Sequence, residues 1–203
     1  MFGLPKSTEV SKLLAKSKLY TKFNMSNSVK SIFDENIAKI IISHEISSRT
    51  LSIVEGEKVR GIYVLHIFLK RKEFKNQVLV HLINLIKKKI IIALQYQDEV
   101  KFAVYCTRLI QSEWLSEQNA QIPLVGLNLG RIWENIVMDI ACITSQDGIP
   151  LDERIKMEDE RIKIEKEISR LSKKARKENQ PNKKYTLVQQ IRILKKELQA
   201  YEE

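Results

Sequence analysis

Residues 59–69 read VRGIYVLHIFL, 74–86 read FKNQVLVHLINLI, 90–97 read IIIALQYQ and 100–109 read VKFAVYCTRL. The first segment is apolar almost without a break, the pattern of a strand covered on both faces. In the second, Phe74, Val78, Leu82, Leu85 and Ile86 recur at helical spacing, with Lys75, Asn76 and Asn84 elsewhere, so an amphipathic helix is expected. The order is strand, helix, strand, and a parallel pairing of the two strands would need such a crossover. Gln97-Asp98-Glu99 then predicts a hairpin. It lacks glycine, so a type I turn or a slightly longer loop is expected rather than a primed two-residue turn. On the returning strand Val100, Phe102, Val104 and Cys106 share a face. This block, through Trp114, is the core of one domain.

Upstream, residues 1–36 predict two short helices. Ser7 or Thr8 caps the one carrying Val10, Leu13 and Leu14, and Ser26 or Asn27 caps the one carrying Val29, Ile32 and Phe33. Between them residues 18–23 alternate as a short strand. IAKIIISHEI and TLSIV read as further strands, with Ile40, Ile42, His44 and Ile46 on one face and turns at 47–49 and at Gly56. A three-stranded meander into Val59–Leu69 follows. Downstream, 116–126 is a loop. From Leu129 a helix carries Ile132, Trp133, Ile136, Val137, Ile140 and Ile143 on one stripe. Gln146 to Pro150 breaks it.

The last segment differs in kind. Met157, Ile164, Ile168, Leu171 and Ala175 stand at heptad-like intervals, 179–182 interrupt, and Leu187, Ile191, Leu194, Leu198 and Tyr201 resume the stripe. The expected architecture is an α+β domain over 1–148, a mostly antiparallel sheet with packed helices. A basic antiparallel helical hairpin, coiled-coil-like, follows over 149–203. The hairpin has few apolar positions. A larger partner, a second copy or its own domain is therefore expected to finish it, and the candidate partner-binding stripe is Leu187, Ile191, Leu194, Leu198 and Tyr201.

Charge narrows the function classes. The net charge is +10, which favours nucleic acid or an acidic protein partner. Residues 58–89 hold nine basic groups against Glu73. Lys70, Arg71 and Lys72 precede the central helix, and Lys87, Lys88 and Lys89 follow it. Such clusters contact phosphates without reading sequence, although the second also suits a helix C-terminus. If the two strands are parallel, the clusters lie at opposite ends of the unit. A third cluster surrounds the hairpin turn: Arg170, Lys173, Lys174, Arg176, Lys177, Lys183 and Lys184, opposed by Glu178.

Enzymatic motifs are sparse. There is no phosphate-binding GxxxxGK[ST] loop and no nucleophile elbow, so ATPase and hydrolase readings have no support and no cofactor is expected. His44, His66 and His81 lack metal-ligand spacing, and His66 among Ile62, Val64 and Phe68 reads as a core histidine. Glu55, Glu57 and Lys58 are the nearest approach to a metal-dependent nuclease set, but no aspartate on the preceding strand completes it and a hairpin turn is the preferred reading. Cys106 and Cys142 make no zinc motif or disulfide scaffold. No apolar stretch is long enough to span a bilayer. A protein of the reducing cytoplasm, without membrane contact, is expected.

Several segments together resemble a bacterial family, domain of unknown function 4391. They are MFGLPKSTEV at the start, TLSIVEGEKV, FAVYCTRLIQSEW, LNLGRIWENIV and the basic hairpin. The resemblance implies a setting near restriction–modification and phage-defence genes, among helicases and DNA methyltransferases, and transfers no catalytic residue. The expectation is a non-catalytic accessory or adaptor subunit of a DNA-defence or restriction-type assembly, docked to a larger enzyme and touching nucleic acid through lysines. The alternatives are a metal-dependent nuclease domain of such a system, or a protein-only oligomeric component.

Overall fold

A computed structural model describes residues 1–73, 76–86, 88–143, 149–199 and 201. Phe74, Lys75 and Lys87 lie outside the described residues, as do 146–148 of the expected helix break. The chain divides into two compact units, Met1–Ser145 and Gln146–Glu203. Among the described residues no helix is long and apolar enough to cross a membrane.

The first unit is built on one sheet ordered β1-β2-β3-β4-β5-β6, with β7 also pairing β5. The strands are β1 Glu9–Leu13, β2 Ile37–Ser47, β3 Gly61–Leu69, β4 Lys89–Tyr96, β5 Glu99–Tyr105, β6 Leu109–Gln111 and β7 Leu115–Ser116. Among the described strands only β3 and β4 pair in parallel, and helix α4, Gln77–Ile86, makes their crossover. All other pairings are antiparallel. The mostly antiparallel α+β class is as expected, and the pair β3–β4 takes the parallel alternative.

Both faces of the sheet are covered. On one, Leu65, Ile67, Ile90, Ile92 and Leu94 pack with Val78, Leu79 and Leu82 of α4. Leu19 of α1, Lys16–Lys22, and Phe33 of α2, Asn27–Asn36, belong to the same core. The alternate residues Ile62, Val64, Ile91, Ala93, Phe102 and Val104 are equally buried. They face α5, Leu129–Ala141, whose stripe of Ile132, Trp133, Ile136 and Val137 is solvent-free. Burial on both faces removes the polar–apolar alternation of a one-faced strand. That is why 61–69 and 90–94 read as apolar runs.

Helix starts follow local capping chemistry. Ser26 Oγ accepts from the Val29 amide at 3.4 Å, and Asn128 Oδ1 accepts from the Arg131 amide at 2.9 Å. Each satisfies a donor that the first turn leaves without a helical partner.

Several expectations are corrected. Residues 9–13 are strand β1, not a helix, and 18–23 lie mostly in α1, not in a strand. TLSIV is not a strand: Ser48–Leu51 form one helical turn, α3, closed by a capping box between Ser47 and Thr50. The third member of the meander is therefore β1. The expected single strand over 100–109 breaks at Cys106 and returns as β6. The turn after β4 is the two-residue kind: Tyr96 pairs with Glu99, and Gln97 takes φ +54° without being glycine. Right-handed strand twist favours that geometry, and the rest of the sheet holds the residue in it.

A bulge in β2 has the largest consequence. Ile42 pairs with Leu65 but His44 pairs with Val64, so Ser43 is an extra residue. Paired residues share a face, so Ile40 and Ile42 point to the α4 side while His44 and Ile46 point to the α5 side. The one-face reading of Ile40, Ile42, His44 and Ile46 fails for this reason. Ser43 Oγ donates to the Val64 carbonyl at 3.1 Å, tying the bulge to β3.

The Gly56 turn forms as expected, with Gly56 and Val59 exchanging backbone hydrogen bonds of 3.0 and 3.3 Å. It is held by close backbone approach. Val54 bridges Asn128, and a Cβ on Gly56 would sit 2.7 Å from the Gly130 nitrogen and 2.9 Å from its Cα. Backbone cannot yield as a flexible side chain does.

The second unit pairs α6, Leu151–Lys177, with α7, Pro181–Gln199. At ~1.5 Å per residue they are about 40 and 29 Å long. Leu171, Ala175 and Leu187 are buried between them near the turn, with Ile191 and Leu194 packed alongside. Tyr201 Oη donates to Glu160 Oε2 at 3.0 Å further along.

Gly56→Ala is expected to destabilise the first unit by about 1–3 kcal/mol, the range for overpacking. Gly61→Ala, whose added Cβ has its nearest neighbour at 3.7 Å, should stay within about 1 kcal/mol. Urea unfolding midpoints check the contrast.

Candidate functional site

The crossover sets where charge can gather. Because β3 and β4 are parallel, Lys89 opposes Ile62 at the start of both strands, while Lys70–Lys72 follow the end of β3. The two clusters thus lie at opposite ends of the sheet, as expected, and they have different fates.

The end near Lys70 is occupied by structural contacts. Lys70 Nζ donates to the Asp34 carbonyl at 2.6 Å. Lys72 pairs with Glu99 and lies 5.2 Å from the centroid of the Trp114 ring, with Lys101 at 5.4 Å from the same ring. Trp114 itself packs at the edge of the core. Asp34 also accepts from Tyr20 Oη at 2.8 Å and Lys16 Nζ at 3.1 Å, linking α1 to α2. Those bonds, Tyr20's first, lower the Asp34 pKa. Burial, then Asp34, raises that of Tyr20. Arg71 is exposed.

The opposite end opens into a cleft of about 950 Å³. β2 ends there, β3 and β4 begin, and β5 runs out at Tyr105. Arg49, Lys58, Arg60, Lys88 and Lys89 line it, with Glu45, Glu55 and Glu57. Arg49 is paired to Glu45 at 3.1 Å, and Ser48 Oγ donates to Glu55 at 3.3 Å. Lys89 Nζ lies 5.1 Å from the Trp133 ring centroid, a cation–π contact. Lys58, Arg60 and Lys88 have no carboxylate partner among the described residues. Lys87 lies outside the described residues.

The candidate nuclease residues Glu55, Glu57 and Lys58 share this cleft. Yet among the described residues no three His, Cys, Asp or Glu side chains are grouped so as to hold a metal. The exposed turn at Gly56 presents Glu55 and Glu57 to solvent. The lining of the cleft thus carries five cationic side chains against three carboxylates.

The hairpin turn is a second cationic surface. Arg170 is bound to Glu167 at 2.6 Å, which lowers the Glu167 pKa and raises that of Arg170. Lys173, Lys174, Arg176, Lys177, Lys183 and Lys184 are exposed around the turn. Glu178 is used locally, accepting from the Gln180 amide at 2.9 Å. Of the expected partner stripe, Leu187, Ile191 and Leu194 are engaged within the hairpin itself. Leu198 is half-buried, and Tyr201 is bonded to Glu160. The apolar residues that α7 leaves in the open are Tyr185, Val188 and Ile193.

A different apolar ridge escaped the sequence reading. Leu127 is 93% exposed, Val54 71% and Val125 62%. They sit on two loops joined by the Val54–Asn128 bridge and by the Leu129 amide donating to the Val54 carbonyl. The only signal in the sequence was the apolar content of PLVGL in a segment read as loop.

His44 and His66 are core residues, as expected of His66. The Ser43 bulge sends His44 to the face that carries His66, under Phe2, whose ring centroid lies 6.3 Å from the first and 5.2 Å from the second. Phe68 stacks on His66 at 4.1 Å. His44 Nδ1 and His66 Nε2 are buried without a hydrogen-bond partner in the protein, and so is Oε1 of the neighbouring Gln95. Burial holds the His66 pKa down to about 4. His44 and Lys39 add to the effect, and the Gln95 amide opposes it. His44 is lowered too, by burial and then by the N-terminal ammonium.

Residues 2–198 match the family model described as Domain of unknown function (DUF4391). No curated protein and no solved structure matches the chain.

The depressed His66 pKa predicts a pH dependence. The unfolded imidazole titrates near its ordinary 6.5 and the folded one near 4, so between those values the unfolded chain binds the extra proton. Stability is full above 6.5 and falls as pH drops toward 4, about 2 kcal/mol of it between pH 6.5 and 5. Urea titrations across that window should show His66→Leu losing less stability than the parent by that amount.

Proposed function

The chain belongs to this family, and we propose that it is a non-catalytic accessory subunit holding nucleic acid by its phosphates. It does so in the cytoplasm, within a DNA-defence or restriction-type assembly. The observation that carries this reading is the cleft at the start of β3 and β4, where Lys58, Arg60 and Lys88 stand without carboxylate partners among the described residues. Uncompensated cations on an open concave surface gain most from a polyanion, whose condensed counterions they displace. The lysines at the hairpin turn are a separate cationic surface that also supports phosphate contact.

Docking to a larger enzyme is the other half of the proposal. The ridge of Val54, Val125 and Leu127 supports it, since clustered apolar side chains left in water favour a protein partner. The stripe of Leu187, Ile191 and Leu194 supports it less, being already engaged within the hairpin. The defence setting rests on the family resemblance alone.

Fluorescence anisotropy with a labelled DNA oligonucleotide tests the phosphate contact. Affinity should fall steeply as salt rises, with a log–log slope of about −0.9 per phosphate neutralised on duplex. Lys58→Ser/Arg60→Ser/Lys88→Ser should weaken binding at least about tenfold and flatten the slope by roughly two to three. Binding that ignores salt, or a triple variant equal to the parent, would favour a protein-only component.

A further inference from the structure

The first unit has a second opening, separate in chemistry from the cationic cleft. It encloses about 310 Å³ between α1, the end of α4 and the sheet, within the range of small-molecule sites. Its origin is the brevity of α1. Seven residues bring only Leu19 into the buried core, so this helix cannot cover all the apolar surface that β2, β3 and β4 present on its side.

The lining divides sharply by chemistry. Leu65 and Ile90 come from the adjacent parallel strands, Ile42 from β2 and Phe23 from the end of α1. Leu65 and Ile90 are buried core residues, whereas Leu14, Phe23, Ile42 and Ile86 are only half-buried around the opening. Lys18, Lys22, Lys88 and Tyr63 complete the lining, and among the described residues no carboxylate belongs to it. Lys18 and Lys22 are one helical turn apart on α1, both exposed, and Lys22 Nζ lies 5.7 Å from the Phe23 ring centroid.

The geometry points to a binding site for a small amphipathic anion, a compound with a short acyl or aryl body and one carboxylate or phosphate head. The apolar body occupies the space beneath α1, covering half-exposed Leu14, Phe23, Ile42 and Ile86. The head stays at the mouth among the lysines. A neutral apolar compound satisfies the walls but not the rim. A bare anion such as acetate satisfies the rim but gains nothing from the walls. Charge complementarity excludes cationic amphiphiles, since three ammonium groups line the entrance with no acid opposing them. Nucleic acid does not fit this site, because the walls offer nothing to a sugar–phosphate chain. Lys88 and Tyr63 also line the larger cleft, so the two openings adjoin, and the inference rests on Lys18, Lys22 and the apolar walls, which the cleft does not share.

The test is a ligand series titrated into the full chain and followed by amide and methyl NMR shifts. Butanoate, hexanoate and octanoate should bind with affinity rising roughly fourfold per methylene until the space is full, with shifts centred on Leu19, Ile42, Leu65 and Ile90. Octanol should bind several-fold more weakly than octanoate. Octyl phosphate in parallel identifies the preferred head: tighter binding by either upholds the site. Lys18→Gln/Lys22→Gln, a surface change that thermal melting should show to be folded, is expected to weaken octanoate roughly three- to tenfold and leave octanol unchanged. Leu14→Trp, placed at the mouth, should block both. Equal affinity for octanoate and octanol, no dependence on chain length, or an unaltered octanoate affinity in both variants overturns the proposal. Shifts that map to Val54, Val125 and Leu127 instead also overturn it.

Discussion

Everything in the first unit depends on the parallel pair β3–β4 being buried on both faces. A parallel pair cannot be closed by a tight turn, so the chain must leave the sheet after Leu69, cross as α4 and re-enter at Lys89. That crossover covers one face. The other must be covered by something distant in sequence, and α5 with the N-terminal segment supplies it, Phe2 lying over His44, His66 and Phe102. With water excluded from both sides, polar groups between the layers are held to strict terms. His66 therefore stays neutral well below the usual imidazole range.

The same crossover explains how one lysine cluster becomes structural and another faces an open cleft. Chain reversal puts the end of β3 beside α2 and the β4–β5 hairpin, where Asp34, Glu99 and Trp114 engage Lys70 and Lys72. The starts of β3 and β4 meet instead the loops at the end of β2 and the Gly56 turn. These bring Lys58 and Arg60 to Lys88 and Lys89. Two runs that look alike in sequence differ only in which loops the topology delivers to them.

The second unit is economical by comparison. Three buried residues and two half-buried ones hold two long helices together near the turn, and a Tyr201–Glu160 hydrogen bond ties them further along. The remaining surface of the helices is mostly charged, and ion pairs such as Arg170–Glu167 and Arg161–Glu158 lie along one helix rather than between the two. Exposed i,i+3 pairs support a helix by only tenths of a kcal/mol. Cationic side chains at the turn are therefore a feature of surface chemistry, not of folding.

Read from the sequence alone, the burial of residues was largely determined: the apolar runs of β3 and β4, the stripes of α4 and α5, the Ser26 cap, the Gly56 turn and the helical pair. Periodicity and capping are local, and a side chain that must leave water declares itself by its spacing. Tertiary structure alone decided which strand sits beside which, and so β1 in place of TLSIV, the break of 100–109 at Cys106 and the gathering of Lys58, Arg60 and Lys88. It also decided the Ser43 bulge, because one unpaired residue leaves composition and spacing unchanged while turning every later side chain of β2 to the other face. Pairing is a contact between distant segments, and its register is settled by the partner strand, about which a local stretch of sequence carries no information.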